Sequence, residues 1–342
     1  MTFRMPAETD PQERVWMAFP TAGYTLGESD AEAEEAFAAW SAVALAVAEF
    51  EPVTVLVDPS ARTAARDRLG RAVELVECPL DDAWMRDIGP TFVFDEHGAP
   101  AAVDWVFNGW GQQEWAHWGK DERVGAEVTR LAGVASVDSP LVNEGGGIHV
   151  DGLGTVLLTE TVQLDPYRNP GHTKESVEAE LARTIGASNP IWLPRGLTRD
   201  SQRFGTRGHV DILATIPEPG TLLVHAQHDP GHPDHRICQD IRERLGAART
   251  PDGDPWRIVD LPAPEVLRDA EGWVDYSYVN HLVVNGAVIA CSFEDPVDAE
   301  AAAILAEAYP GRQVVSLDAR AIFARGGGIH CITQQQPRKA VP

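Results

Sequence analysis

The sequence predicts an α/β protein: a five-bladed, pseudo-symmetric α/β propeller built as a single domain over residues 1–342. Three observations lead there. Apolar strand patterns alternate with capped helical stretches. The same order of elements recurs five times along the chain. An unusual polar residue stands at one place in every copy, the turn entering the last strand: Asp87, Glu144, His209, Asn280 and Cys331. Helices between strands alone would suit an ordinary parallel α/β sheet. The recurring polar turns favour a radial arrangement, in which distant residues meet on one axis. Two copies even share the string GGGIH, at 145–149 and 326–330.

The first copy runs from VTVLV at Val53 through a helix starting after Ser60 and stopping before Gly70, then VELVE, then WMRDIGPTFVF. Ser60 is a suitable N-cap and Gly70 a suitable helix stop. The second goes from AAVDWVF through a helix near 121–132 to SVDSPLVNEGGGIHVDG. The third has TVLLTE, a helix capped by Thr173, IWLP and RGHVDILATI. The fourth has TLLVHA, a helix near 234–245 closed by Gly246, WRIVDL and YSYVNHLVV. The fifth has AVIACSF, a helix after Pro296, QVVSL and RGGGIHCIT. A further helix near 29–49 precedes them all, opened by a capping box of Ser29 and Glu32.

Charge narrows the function classes. Asp and Glu total 52 against 28 Lys and Arg, for a formal net charge of −24. Nucleic-acid binding needs a basic surface, so no nucleic acid is expected. A small cationic partner suits the balance. No apolar run approaches a membrane span and the N-terminal stretch MTFRMPAETDPQER has no apolar core segment, so no membrane and a cytoplasmic location are expected. The four cysteines lie far apart without a CxxC, as in a reduced protein with unpaired thiols.

Cys331 is the candidate nucleophile. It follows three glycines in RGGGIHCITQQQP, and Gly327 and Gly328 leave room for a substrate in front of the thiol. Cys78, Cys238 and Cys291 sit in apolar patterns and read as small core residues. His209 and Asp211, in RGHVDIL, would share one face of a strand and give an acid/base imidazole oriented by a carboxylate. Asp87 and Glu144 add carboxylates, which bind a planar guanidinium in bidentate fashion. Trp84 offers a flat face to the same cation, and Arg86 reads as structural. His225, His228, His232 and His235 have a spacing that zinc sites use, but Pro230 and Pro233 interrupt any helix face, so no metal is expected.

Together WMRDIGPTFVF, NEGGGIHVDGLGTVLLTE, LDPYRNPGH, IWLPRGL, GHVD, YVN and GGGIHCITQQQP resemble the agmatine deiminase family of the guanidine-modifying superfamily. The resemblance implies the five-bladed α/β propeller, no metal or organic cofactor and a homodimer. It also implies that Cys331 attacks the guanidinium carbon and that His209 protonates the departing ammonia and then activates water. Asp87 and Asp211 would hold the guanidinium, with Glu144 supporting His209. With agmatine the product would be N-carbamoylputrescine. Gly328, Gly147, Arg207 and Ile212 depart from the family pattern. An arginine at 207 leads us to expect an influence on the substrate tail. The alternatives are a deiminase of another small guanidine compound, an amidinotransferase using the same intermediate, and a ligand-binding relative without turnover.

Overall fold

The computed structural model describes residues 2–270 and 272–339. Its strands fall into five main sheets that repeat one plan. In the first, β1 (Gln12–Ala18), β2 (Val53–Val57) and β3 (Glu74–Glu77) run parallel, joined by helices Asp30–Ala48 and Arg62–Leu69. In the second, β4 (Thr91–Phe94) is antiparallel to β5 (Pro100–Val106), and β5 is parallel to β6 (Ala135–Val142) across helix Val124–Ala132. The third repeats this with β7 (Ile148–Val150), β8 (Thr155–Thr159), β9 (Asn189–Leu193) and helix Lys174–Ile185. The fourth uses β10 (Ala214–Glu218), β11 (Thr221–Ala226), β12 (Arg257–Pro262) and helix His235–Ala247.

A small hairpin, β13 (Arg268–Asp269) and β14 (Gly272–Trp273), precedes the fifth sheet. That sheet holds β15 (Leu282–Val284), β16 (Ala287–Ser292), β17 (Gln313–Asp318) and helix Asp298–Ala308. Finally β18 (Thr333–Pro337) returns to the first sheet and pairs antiparallel with β1. Each parallel pair therefore has its crossover helix, as parallel pairing requires.

Local chemistry accounts for the elements. The β2 segment VTVLV is buried along its whole length, as a strand covered on both faces should be. Helix Asp30–Ala48 is rich in alanine, the strongest helix former, and Ser29 with Glu32 forms the expected capping box. Thr173 caps its helix in the same way with Ser176.

Some expectations need correction. The strand after each of the first four polar turns does not finish its own copy; it pairs forward, as β4 does with β5, because a short hairpin is the nearest partner available, whereas β18 after Cys331 pairs with β1. Ser60 is not a helix N-cap: Asp58 accepts from its backbone N–H and caps the short turn Pro59–Ala61, and the helix begins at Arg62. Gly246 lies inside a helix that runs to Ala247. The segment carrying His209 and Asp211 is no strand either, since Val210–Ile212 forms a single 3-10 turn.

Candidate active site

All five polar turns stand immediately before the strand that opens a hairpin or, for Cys331, before β18. Asp87 sits in the one-turn helix Met85–Ile88 ahead of β4, and Glu144 ahead of the Gly145–Gly147 turn that leads into β7. His209 precedes the Val210–Ile212 turn before β10. Asp87, Glu144, His209, Asp211, Asn280 and Cys331 are all buried. Their convergence is clearest at Gly146. A β-carbon built there would lie 2.5 Å from His209 Nδ1, 2.9 Å from Asp211 Oδ2 and 3.1 Å from Asp87 Oδ1. Only a residue without a side chain leaves that space open.

The imidazole is held from one side. His209 donates from Nε2 to Glu144 Oε2 over 3.2 Å, and Arg168 Nε donates to both oxygens of Glu144 at 3.0 and 3.1 Å. Arg168 also donates to Asp165 and to the Thr206 carbonyl. Burial would push Glu144 up, but Arg168 and His209 reverse this and hold it at about 2. Burial likewise opposes the imidazolium of His209, yet Asp87, Glu144 and Asp211 raise it to about 9. Burial lifts Asp87 to about 6, with His209 pulling down against Glu144 and Asp211. Trp110 donates to Asp87 Oδ2 at 2.9 Å, and the Gly146 N–H to Oδ1 at 3.2 Å.

The sulfur faces Asn280 and Asp211. Asn280 donates from Nδ2 to Cys331 Sγ over 3.2 Å and to the Asp211 carbonyl over 3.2 Å. Its Oδ1 accepts from the backbone N–H groups of His330 and Cys331. The thiol lies 3.5 Å from Asp211 Oδ2. Burial, then the charges of Asp211 and Asp87, push Cys331 well above the ordinary thiol range. Two buried atoms of these side chains have no hydrogen-bond partner among the described residues: Asp211 Oδ1, and His209 Nδ1, which lies 3.8 Å from Asp87 Oδ1. Such atoms are rare in native interiors and call for an explanation.

Trp84, Asp87 and Cys331 line a cavity of about 10 Å³ with Trp110, Trp115 and Phe204, enough for about one water. Phe204, Gly205 and Gly326 also line a larger outer recess of about 320 Å³. Phe204 stacks on Tyr24 with ring centroids 3.7 Å apart and meets Trp115 edge-on. A β-carbon on Gly327 would come within 2.9 Å of Cys331 Sγ and 2.8 Å of Trp84. Gly328 differs: it faces Asn280 Oδ1 and the Phe323 ring, so it makes room for Asn280 behind the sulfur rather than for a molecule in front of it.

The other candidates are accounted for elsewhere. Burial raises Cys78 to about 11 and Cys238 and Cys291 to about 12. His225 shares a hydrogen bond with Ser277, His232 accepts from the Asp234 N–H, and His235 bonds the Gln227 carbonyl. Arg207 donates to Asp165 at 2.6 Å and covers the Tyr167 ring, so its charge is already met. Arg86 donates to the His330 carbonyl and to Gln334, the structural role expected for it.

Arg168, Asp165, Trp110, His330 and Glu8 were not singled out by sequence reasoning. The string LDPYRNPGH did contain Arg168, and its position among prolines and turn residues was the available signal. For Glu8 no local pattern marks a role.

Asp87, Asp211 and the imidazole of His209 converge at Gly146, and Asp87 and Cys331 line one small cavity, an arrangement that suits a cysteine-based site for a planar cation. The chain belongs to the Porphyromonas-type peptidyl-arginine deiminase family, whose model matches residues 4–337. It is 56% identical over 339 residues to a Streptomyces coelicolor protein provisionally named agmatine deiminase, covering 99% of this chain and 100% of that one. It is 39% identical over 360 residues to the agmatine deiminase of Pseudomonas putida, covering 98% and 95%. Among solved structures it matches the agmatine deiminase of Enterococcus faecalis with a TM-score of 0.91 at 31% identity, covering 99% and 97%.

Proposed function

We propose that this protein hydrolyses the guanidinium of agmatine to N-carbamoylputrescine and ammonia. The observation that carries the reading is the pair of buried, unpartnered atoms, Asp211 Oδ1 and His209 Nδ1, on side chains that converge at Gly146, with the other oxygen of Asp211 3.5 Å from the Cys331 thiol. A guanidinium supplies N–H donors to the first and a departing amine to the second. The relatives named agmatine deiminase, similar over nearly the whole chain, support the substrate. The outer recess beyond Phe204 leaves room for a tail past the guanidinium.

The charges suggest the sequence of events. Before substrate enters, burial and then the charges of Asp211 and Asp87 keep Cys331 as a thiol. Entry of a guanidinium between Asp87 and Asp211 brings a positive charge to the sulfur and favours its ionisation, the thiol proton passing to water. The thiolate then forms an S–C bond to the guanidinium carbon. His209, an imidazolium at neutral pH, gives its Nδ1 proton to one nitrogen, and the C–N bond breaks to release ammonia. The amidino-thioether left on Cys331 is attacked by water as His209 takes a proton back. The S–C bond then breaks, the proton of the new hydroxyl passes to the sulfur and restores the thiol, and the ureido product leaves. Glu144, fixed by Arg168, orients His209 through both steps. Trp84 and Gly327 form the wall of the substrate space, with Gly328 behind.

The same reading takes residues 1–342 as one catalytic domain whose five sheets close into a five-bladed propeller, a closure supported by β18 joining the first sheet. It includes a homodimer in the cytoplasm serving putrescine formation; among the described residues no helix is long and apolar enough to cross a membrane. The experiment is mass spectrometry of products from agmatine, arginine, methylated arginines and guanidino acids. Conversion of agmatine to the ureido product is expected. Turnover of another compound in its place would retain the chemistry and change the substrate. An amidino product formed only with an added amine would replace hydrolysis by transfer.

A further inference from the structure

The two GGGIH copies place their histidines, His149 and His330, against one carboxylate from the far end of the chain. Glu8 Oε1 lies 2.8 Å from His330 Nε2 and 3.8 Å from His149 Nδ1. The two rings have opposite surroundings. His149 Nε2 accepts the Ile216 N–H at 2.9 Å, so that nitrogen carries no proton and the ring is neutral. His330 meets carboxylate oxygens at both nitrogens: Glu8 at Nε2 and Asp211 Oδ2 at Nδ1, 2.9 Å away. Carboxylates accept and do not donate, so both ring nitrogens must carry protons and His330 is an imidazolium.

We infer that Glu8 is a positioning residue for the reaction: by keeping His330 doubly protonated, it holds Asp211 as an oriented carboxylate whose free oxygen receives the guanidinium. This rests on the deiminase reading of the site and adds the N-terminal segment to it. Asp211 uses Oδ2 for His330, the oxygen that also lies 3.5 Å from the Cys331 sulfur, and leaves Oδ1 buried without a hydrogen-bond partner. Its carboxyl is held below the ordinary range: burial opposes this, but His330, then His209 and Arg86, prevail. Asp87 and Asp200 also lie near enough to feel its charge.

The other groups facing the relay do not replace Glu8. Arg86, 3.7 Å from Glu8, opposes a second cation at His330, as burial does. Burial pushes His281 down to about 4, so the ring is neutral at pH 7, and it bonds the Tyr309 hydroxyl. Without Glu8, His330 would keep only Asp211 as a counter-charge. Glu8 is itself fastened, since Gln12 Nε2 donates to its carbonyl at 2.9 Å and to the Val283 carbonyl at 2.8 Å. Met5, just before it, donates its N–H to the Ile185 carbonyl.

The test uses the whole chain labelled with 15N-histidine, with His330 assigned by H330Q. In the unaltered protein both His330 nitrogens should be protonated at pH 8, while His149 stays neutral. In E8Q, His330 should lose a proton within the range pH 6 to 8. kcat/KM on agmatine should then fall as pH rises through that transition, moving the alkaline limb down by about one pH unit or more from its position in the unaltered protein. E8D should restore the limb. A neutral His330 in the unaltered protein, or an E8Q profile that differs only by a scale factor, would overturn the inference. The NMR reading needs no turnover, so failure of agmatine as substrate is distinguishable from failure of the relay.

Discussion

The side-chain amide of Asn280 donates to the sulfur of Cys331 across 3.2 Å, while its carbonyl oxygen accepts the backbone N–H of His330. One amide thus ties the sulfur to its own loop and offers a donor to the thiolate when it forms. None of the other three cysteines has this setting. Cys331→Ser should reduce agmatine turnover by at least about 10³-fold, since a serine hydroxyl here lacks a base that could ionise it. Cys291→Ser should stay within a few-fold of the parent because a hydroxyl can keep the bond to the Asn280 carbonyl. Steady-state ammonia release measures both; equal losses would remove Cys331 as the nucleophile.

Gly146 gives a second test. Alanine there puts a methyl group into the space where His209, Asp211 and Asp87 converge. Gly146→Ala should fold, as read by its melting temperature, yet lose about 10²-fold or more in kcat/KM, the scale of displaced reacting groups. Gly147→Ala meets its nearest neighbours at 3.2 to 3.4 Å and should be far milder. A Gly146→Ala enzyme with normal kinetics would show that the guanidinium sits elsewhere.

The pH profile follows from two groups. Asp87, near 6, must be ionised to attract the cation, so kcat/KM should fall as pH drops through about 6. His209, near 9, must be protonated to release ammonia, so activity should fall as pH rises through about 9. Rates measured from pH 5 to 10 should describe a bell. A profile still climbing at pH 10 would contradict the assignment of His209 as the acid.

Arg168 links stability to the site. It is buried between Glu144 and Asp165, and Arg168→Gln should cost about 3–5 kcal/mol by breaking a buried ion pair, leaving Glu144 with His209 alone and Asp165 with Arg207 alone as counter-charges. Glu144 lies far below its ordinary value in the folded state. Its contribution to stability is therefore complete above the ordinary carboxyl range and lost only as pH falls toward about 2. In the variant that loss should begin nearer neutrality. Denaturant midpoints measured at pH 7 and pH 4 would show it, and unchanged midpoints would refute it.

Phe204 stands between the small inner cavity and the outer recess, stacked on Tyr24. Its φ of +69° is a conformation glycine adopts freely. Phe204→Gly should fold well, raise KM for agmatine and admit bulkier guanidines. Tryptophan fluorescence should report the change, as Trp115 loses an aromatic neighbour. Unaltered selectivity would mean that substrate enters by another route.

Much of this was legible in the sequence. The five turns at Asp87, Glu144, His209, Asn280 and Cys331 could be found because glycines and charges break strong strand patterns there. The site partners of those residues were less visible. His209 and Asp211 were expected to share a strand face, whereas the segment turns as a 3-10 helix. Period-two reasoning has no means of seeing that in so short a stretch. Arg168 and Glu8 look like ordinary surface charges, because what buries them comes from Thr206 and His330, far along the chain. Forward pairing of β4, β7, β10 and β15 depends on which edge is nearest in space, and local propensity does not encode it.

The pairing of β18 with β1 has a consequence for the protein as it is made. The sulfur at Cys331 precedes the strand that must return to residues 12–17. A ribosome therefore delivers the thiol after every carboxylate and imidazole that surrounds it. A nascent chain halted before β18 would carry the carboxylates and imidazole of the cavity without the anchored sulfur. Guanidine chemistry begins only once translation has supplied the closing strand.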